Sequence, residues 1–259
     1  MDKLNTKRII LLCMPIVFAV SLAITLAACM AQAGREVNDG VFGSDDGGTT
    51  VGEIPIINDF QTIEASSGLE FTSRGDGTCI LTGIGECTDK NITVPERNSA
   101  GEEVQAVARS AFAGSASIGS VTLPSTVTVI GDYAFYNSSL TEINIPSGVT
   151  SVGEAAFSNC SSLKKITVAS SNKSYCSVDG VLFSKDKSTL ICYPSGKEGD
   201  TYTIRMGVGY IKSAAFMGCV YLKKVNYNGS YKDWQTVKIG ANNDSLSGMS
   251  ITFLTQTTK

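Results

Sequence analysis

The sequence predicts a solenoid, a β-rich stack of short repeating turns, rather than a chain folded around one deep core. Two observations carry this. Apolar residues recur with one internal spacing in consecutive segments, at a period within about 20 to 29 residues, which marks a repeat array. The chain of 259 residues also holds 26 glycines, as a turn-rich fold needs. In such an array each turn buries its apolar face on its neighbours.

The reference unit is residues 140–163, with apolar positions Leu140, Ile143, Ile145, Val149, Val152, Phe157 and Leu163. The preceding unit, Ile118, Val121, Leu123, Val127, Ile130 and Phe135, repeats its steps of three, two, four, three and five. In Ile143-Asn144-Ile145-Pro146 the period of two puts both isoleucines on one face of a short strand, and the proline ends it. Glu154-Ala155-Ala156-Phe157 is expected to be a short helical or 3₁₀ turn on the outside, with the phenylalanine inward. The predicted fold is therefore a leucine-rich-repeat solenoid. Short parallel strands form its concave face, and small β caps and a β-hairpin insertion complete it.

Residues 1–28 read as an export signal. Lys3, Lys7 and Arg8 precede an apolar run from Ile9 to Leu26, which ends in Leu26-Ala27-Ala28-Cys29. That box is similar to those of bacterial lipoproteins, and the resemblance implies a diacylglycerol on Cys29, anchoring the protein to the outer leaflet of the membrane at the cell surface. Two alternatives stay open: cleavage after Ala33, which gives a secreted product, and retention of the apolar run as an anchor of just spanning length. All three place the remainder outside the cytoplasm.

Residues 29–67, rich in Gly, Asp, Ser and Thr, are expected to form a flexible tether. The solenoid then covers 68–254. An N-terminal cap and first repeat span 68–112, regular repeats 113–168, a hairpin insertion 169–200, the last repeat 201–227 and a C-terminal cap 228–254, before a tail at 255–259. In the insertion, Ser177 to Ser184 and Thr189 to Pro194 read as hairpin arms, the first turning on Asp179-Gly180.

From Ile145 to Leu163, and partly again from Ile204 to Leu222, the framework I-P-x-x-V-x-x-I-G-x-x-A-F-x-x-C-x-x-L resembles the BspA-like leucine-rich-repeat surface proteins of bacteria. Asp179-Gly180-Val181-Leu182-Phe183, Tyr193-Pro194, and Gly229 with Trp234 strengthen the likeness. Arg205 stands where a proline is expected, and Ser115 and Ser138 where the corner cysteine is expected. The resemblance implies adhesion to host or partner proteins and no enzymatic activity.

The chain has no histidine, which removes Ser-His-Asp and Cys-His nucleophiles and most zinc sites. No cofactor, metal or catalytic residue is expected. A net charge of −3 does not suggest nucleic acid as a partner. Of the eight cysteines, Cys79 and Cys87 are the disulfide candidates, Cys160 and Cys219 are expected as buried thiols, and a Cys176–Cys192 bond is the lesser alternative. The candidate binding face is the solvent side of five strands: Thr122, Asn144, Thr167, Thr203 and Asn226, with Lys165 and Lys224 beside them and a basic ladder expected at Lys164-Lys165 and Lys223-Lys224. The expected ligand is a protein on a host or microbial surface. A glycan stacked on Tyr202, Tyr210 and Tyr227 is the alternative, and membrane contact is expected only through the lipid anchor.

Overall fold

In a computed structural model, described over residues 64–255, inward and outward residues alternate along the I-x-I strands of the regular turns, as in Glu142–Ile145. The chain divides into two units, 1–59 and 60–259, and the first lies outside the described residues. The export signal, Cys29, the tether up to residue 63 and the tail beyond 255 therefore lie outside them too.

A hairpin of β1 (Glu70–Ser73) and β2 (Thr78–Gly83) begins the fold. Three turns follow, each with two strands: β3 (Asn91–Thr93) and β4 (Glu103–Val107), β5 (Ser120–Thr122) and β6 (Val129–Ile130), β7 (Glu142–Ile145) and β8 (Ser151–Val152). The fourth turn is enlarged, running from β9 (Lys165–Val168) through β10 (Tyr175–Val178) and β11 (Val181–Ser184) to β12 (Thr189–Cys192). After β13 (Thr201–Ile204) and β14 (Tyr210–Ile211) the chain closes with β15 (Lys224–Tyr227), α1 (Tyr231–Trp234), β16 (Lys238–Ile239), α2 (Asp244–Ser247) and β17 (Ser250–Phe253).

Each regular turn thus places strands in two sheets. The I-x-I strands stack in parallel as β3-β5-β7-β9, in register through Ile92, Val121, Ile143 and Ile166. The V-x-x-I segments build a second parallel stack, β2-β4-β6-β8. The outer segments are not helical. In each, the residue two before the phenylalanine has positive φ: Ser110 (58°), Tyr133 (55°), Ala155 (50°) and Ala214 (59°). This left-handed step breaks the helical path, so 3₁₀-type bonds such as Ala113 N to Ser110 O (3.0 Å) alternate with bonds between turns, as from Phe112 N to Ala134 O (2.7 Å) and from Phe135 N to Ala156 O (2.8 Å). Turns approach so closely that a Cβ on Gly153 would lie 2.4 Å from the Asp132 amide nitrogen, so glycine is required there.

Phe112, Phe135 and Phe157 form a column, with ring centroids 5.0 and 5.4 Å apart. Tyr193 and Phe216 form a second stacked pair at 5.3 Å, and Tyr193 N donates to Ala215 O (2.9 Å) as Phe112 N and Phe135 N do to the next turn. Tyr193 therefore holds the phenylalanine position of the fourth turn, and the insertion is part of the stack. Its hairpin turns on Asp179 (φ 51°) and Gly180 (φ 80°), the two left-handed residues of a type I′ turn. Strand β11 is buried on both faces: Leu182 packs with the N-terminal core, Val181 and Phe183 with the C-terminal core.

Because the fourth turn has no outer segment between Cys192 and Tyr193, the outer segments of the third and fifth turns meet directly. Asn159 N donates to Met217 O (3.2 Å) and Ser158 Oγ to Ala214 O (2.8 Å). At the C-terminal end Phe216 N finds Asn243 Oδ1 (3.0 Å) instead of a further turn. Asn243 Nδ2 in turn donates to Lys212 O and Gly240 O. Ser230 and Asp233 form a capping box on α1, and Trp234 meets Tyr227 edge-on at 5.1 Å.

Candidate binding face

The expected five-strand face is divided. Thr122, Asn144 and Thr167 lie on β5, β7 and β9, whereas Thr203 and Asn226 lie on β13 and β15 of a separate parallel sheet, β13-β15-β17. The hairpin causes the break. Ile166 N donates to Gly180 O (2.8 Å) and Ser177 Oγ to Ile166 O (2.6 Å), so the insertion occupies the edge of β9 where a next strand would pair. The last sheet also gains β17, which puts Thr252 opposite Asn226, a residue that the sequence reading left in the cap. The I-T-F alternation at 251–253 was the signal for it.

On the first sheet the predicted residues converge. Ser120, Thr122, Glu142, Asn144, Lys165 and Thr167 line an open depression of about 260 Å³, together with Val121, Leu123 and Ile143. This is below the roughly 300–1,000 Å³ of small-molecule sites and suits one or two side chains of a larger partner. Thr167 Oγ1 donates to Asn144 Oδ1 (3.1 Å), which leaves the Asn144 amide hydrogens directed elsewhere. Thr122 and Asn144 are both exposed.

The basic ladder is not free as expected. Lys165 Nζ lies 2.7 Å from Glu142 Oε2, directly across the β7–β9 register, and Lys164 Nζ lies 2.8 Å from Glu198 Oε1. That contact raises the Lys164 pKa and lowers that of Glu198. The first sheet is therefore locally neutral. Lys224 has no ion pair among the described residues.

The tyrosines expected as sugar platforms are mostly inside. Tyr227 is buried, and Tyr202 packs edge-on against Tyr193 at 5.0 Å, with burial holding its hydroxyl far above the usual range. Tyr210 alone is exposed, on β14, away from the predicted face.

All six cysteines in the described residues are free thiols. Cys79 and Cys87, expected to bond, are both buried and unbonded, and the Cys79 Sγ donates to the Glu102 carbonyl (3.6 Å). Cys176 and Cys192 are likewise free, and Cys160 is a buried thiol whose Sγ donates to Phe135 O (2.9 Å).

The repeat family agrees with this architecture. Residues 86–185 match the BspA type leucine rich repeat region, in six copies. No curated protein matches the chain. Similar solved structures include a leucine rich cell surface protein from Faecalibacterium prausnitzii, at 21% identity over 73% of this chain and 76% of that one, with a TM-score of 0.44. Another is a leucine-rich repeat protein from Eubacterium ventriosum, at 22% identity over 73% and 71%, with a TM-score of 0.43. Residues 86–185, with their two-stranded turns, stacked phenylalanines and six matched repeats, therefore form a leucine rich repeat region of the BspA type.

Proposed function

We propose that this protein is a lipid-anchored, non-enzymatic interaction module of the bacterial surface that adheres to host or neighbouring-cell proteins through the outer face of its I-x-I strands. The observation that carries this reading is the depression bounded by Thr122, Asn144 and Thr167, whose side chains are exposed and stand outside the apolar core of the turns. The family of the repeats supports protein binding as the role. The Leu26-Ala27-Ala28-Cys29 box supports the anchor, and the tether would lift the solenoid off the membrane.

A glycan ligand is less favoured, since Tyr202 and Tyr227 offer no stacking face beside the rows. The test is saturable binding of the purified chain to immobilised host glycoproteins and to surface proteins of co-resident bacteria. Binding that the double substitution Thr122→Arg and Thr167→Arg abolishes is the expected result. Absence of saturable binding, or binding that this variant leaves intact, rejects the reading.

A further inference from the structure

One outward Thr–Asn–Thr pattern occurs twice, on the first sheet as the last three members of a row that begins with Thr93 on β3. Thr122, Asn144 and Thr167 follow one another on β5, β7 and β9, and Thr203, Asn226 and Thr252 follow one another on β13, β15 and β17, with Thr203 opposite Asn226 and Asn226 opposite Thr252. Folding does not ask for this: the inward neighbours Ile143, Ile145, Val225 and Tyr227 do the packing.

In the first row Thr167 Oγ1 donates to Asn144 Oδ1 (3.1 Å) or to Ile143 O (3.3 Å), and the exposed Asn144 carboxamide has no partner for its N–H groups among the described residues. In the second, Asn226 Nδ2 reaches Thr203 Oγ1 only at 3.5 Å, and Asn226 Oδ1 is buried with no hydrogen-bond partner. An unpaired buried amide oxygen is uncommon in a folded protein; because this one is closed to solvent, a peptide meets Asn226 through its amide N–H groups, which are complementary to a peptide carbonyl.

The charges beside the rows differ. Glu142 and Lys165 cancel on the first sheet, whereas the equivalent positions on the last are Thr201, Lys224 and Ser250, so Lys224 is left uncompensated among the described residues. Strands step by about 4.8 Å and an extended peptide by about 3.3 Å per residue, so three residues cover each row.

We propose that the two Thr–Asn–Thr rows are halves of one site for an extended polypeptide segment, uncharged where it crosses the first sheet and bearing a carboxylate where it reaches Lys224. This rests on the protein-binding reading and narrows it. The Asp179–Gly180 turn separates the halves, and affinity comes from joining two weak contacts on one chain.

The test is selection of random phage-displayed peptides on the purified chain, followed by affinity measurement of the enriched sequences. Peptides with Asp or Glu towards one end are expected. Asn144→Leu and Asn226→Leu should each weaken binding by about tenfold, and Lys224→Glu should turn the acidic preference basic, with thermal unfolding unchanged. No enriched peptide, or binding confined to a glycan array, overturns the proposal. Peptides insensitive to both Asn variants but lost in Thr122→Arg with Thr167→Arg overturn the two-row site and leave protein binding standing. Insensitivity to every face variant overturns both.

Discussion

Lys212 places its ammonium 2.7 Å from the Val152 carbonyl oxygen and 3.1 Å from that of Gly153, sixty and fifty-nine residues away in sequence. It occupies the repeat position that Gly131 and Gly153 hold in earlier turns. A side chain fits there because the fourth turn has no outer segment to stand in its way. Strand β8 ends its sheet, and its remaining backbone groups are met by side chains: the Tyr175 hydroxyl accepts from Val152 N (2.9 Å) and donates to Thr150 O (3.2 Å). Lys212 and Tyr175 together close an open sheet edge in mid-solenoid.

Replacing Lys212 with Met keeps the stem and removes the donors. Two partly buried carbonyls are then left without their partner, at a cost of about 1–3 kcal/mol. Urea unfolding should show a lower midpoint, and an unchanged midpoint would contradict the closure of β8 by this residue.

The aromatic column predicts two opposite outcomes. Phe157 is fully buried and stacks on Phe135, so Phe157→Ala should destabilise by about 3–5 kcal/mol. Tyr193→Phe restores the residue of the other turns at nearly the same volume and should cost less than about 1 kcal/mol. Equal effects in equilibrium unfolding would remove Tyr193 from the phenylalanine position of its turn.

Stability should fall in alkali. Burial pushes the Cys219 thiol from 9.0 up to about 12 and the Tyr193 hydroxyl from 10.0 up to about 12. It also raises Cys79, Cys160, Cys192, Tyr175, Tyr202 and Tyr227. Above pH 9 the unfolded chain therefore gives up protons that the folded chain retains, so stability present below pH 9 is lost as pH rises through the folded values. Lys212 acts oppositely, because desolvation lowers its pKa below 10.5, but it is one group against several. Urea midpoints under reducing conditions should decline from pH 8 to pH 11, and a flat profile would contradict the burial of these groups.

Cys29→Ala should abolish incorporation of labelled lipid and move the protein from the membrane fraction to the medium. If the variant stays in the membrane fraction, the apolar run from Ile9 to Leu26 is retained as the anchor.

The rows of inward side chains were legible in the sequence because the same apolar spacing recurs from turn to turn, with the period of two of a strand at Ile143 and Ile145. Ile143, Ile145, Val149, Val152 and Phe157 announce their positions without reference to anything distant. The hairpin on Asp179-Gly180 was legible for a similar local reason, since two consecutive left-handed residues favour Asp-Gly. The binding face was legible residue by residue, as exposed Thr122, Asn144 and Thr167 show, but not as a surface.

What only the tertiary structure decided is how turns meet. The V-x-x-I segments become a second sheet, the outer segments take left-handed steps instead of helical ones, and β11 is buried between two cores. Docking of Gly180 on Ile166 splits the face into two rows, and Lys165 finds Glu142. Periodicity specifies which way a side chain points, because that depends on its own backbone. Pairing across turns depends on residues twenty to sixty positions apart, so the edges, ion pairs and neighbours of each row exist only once the turns have stacked.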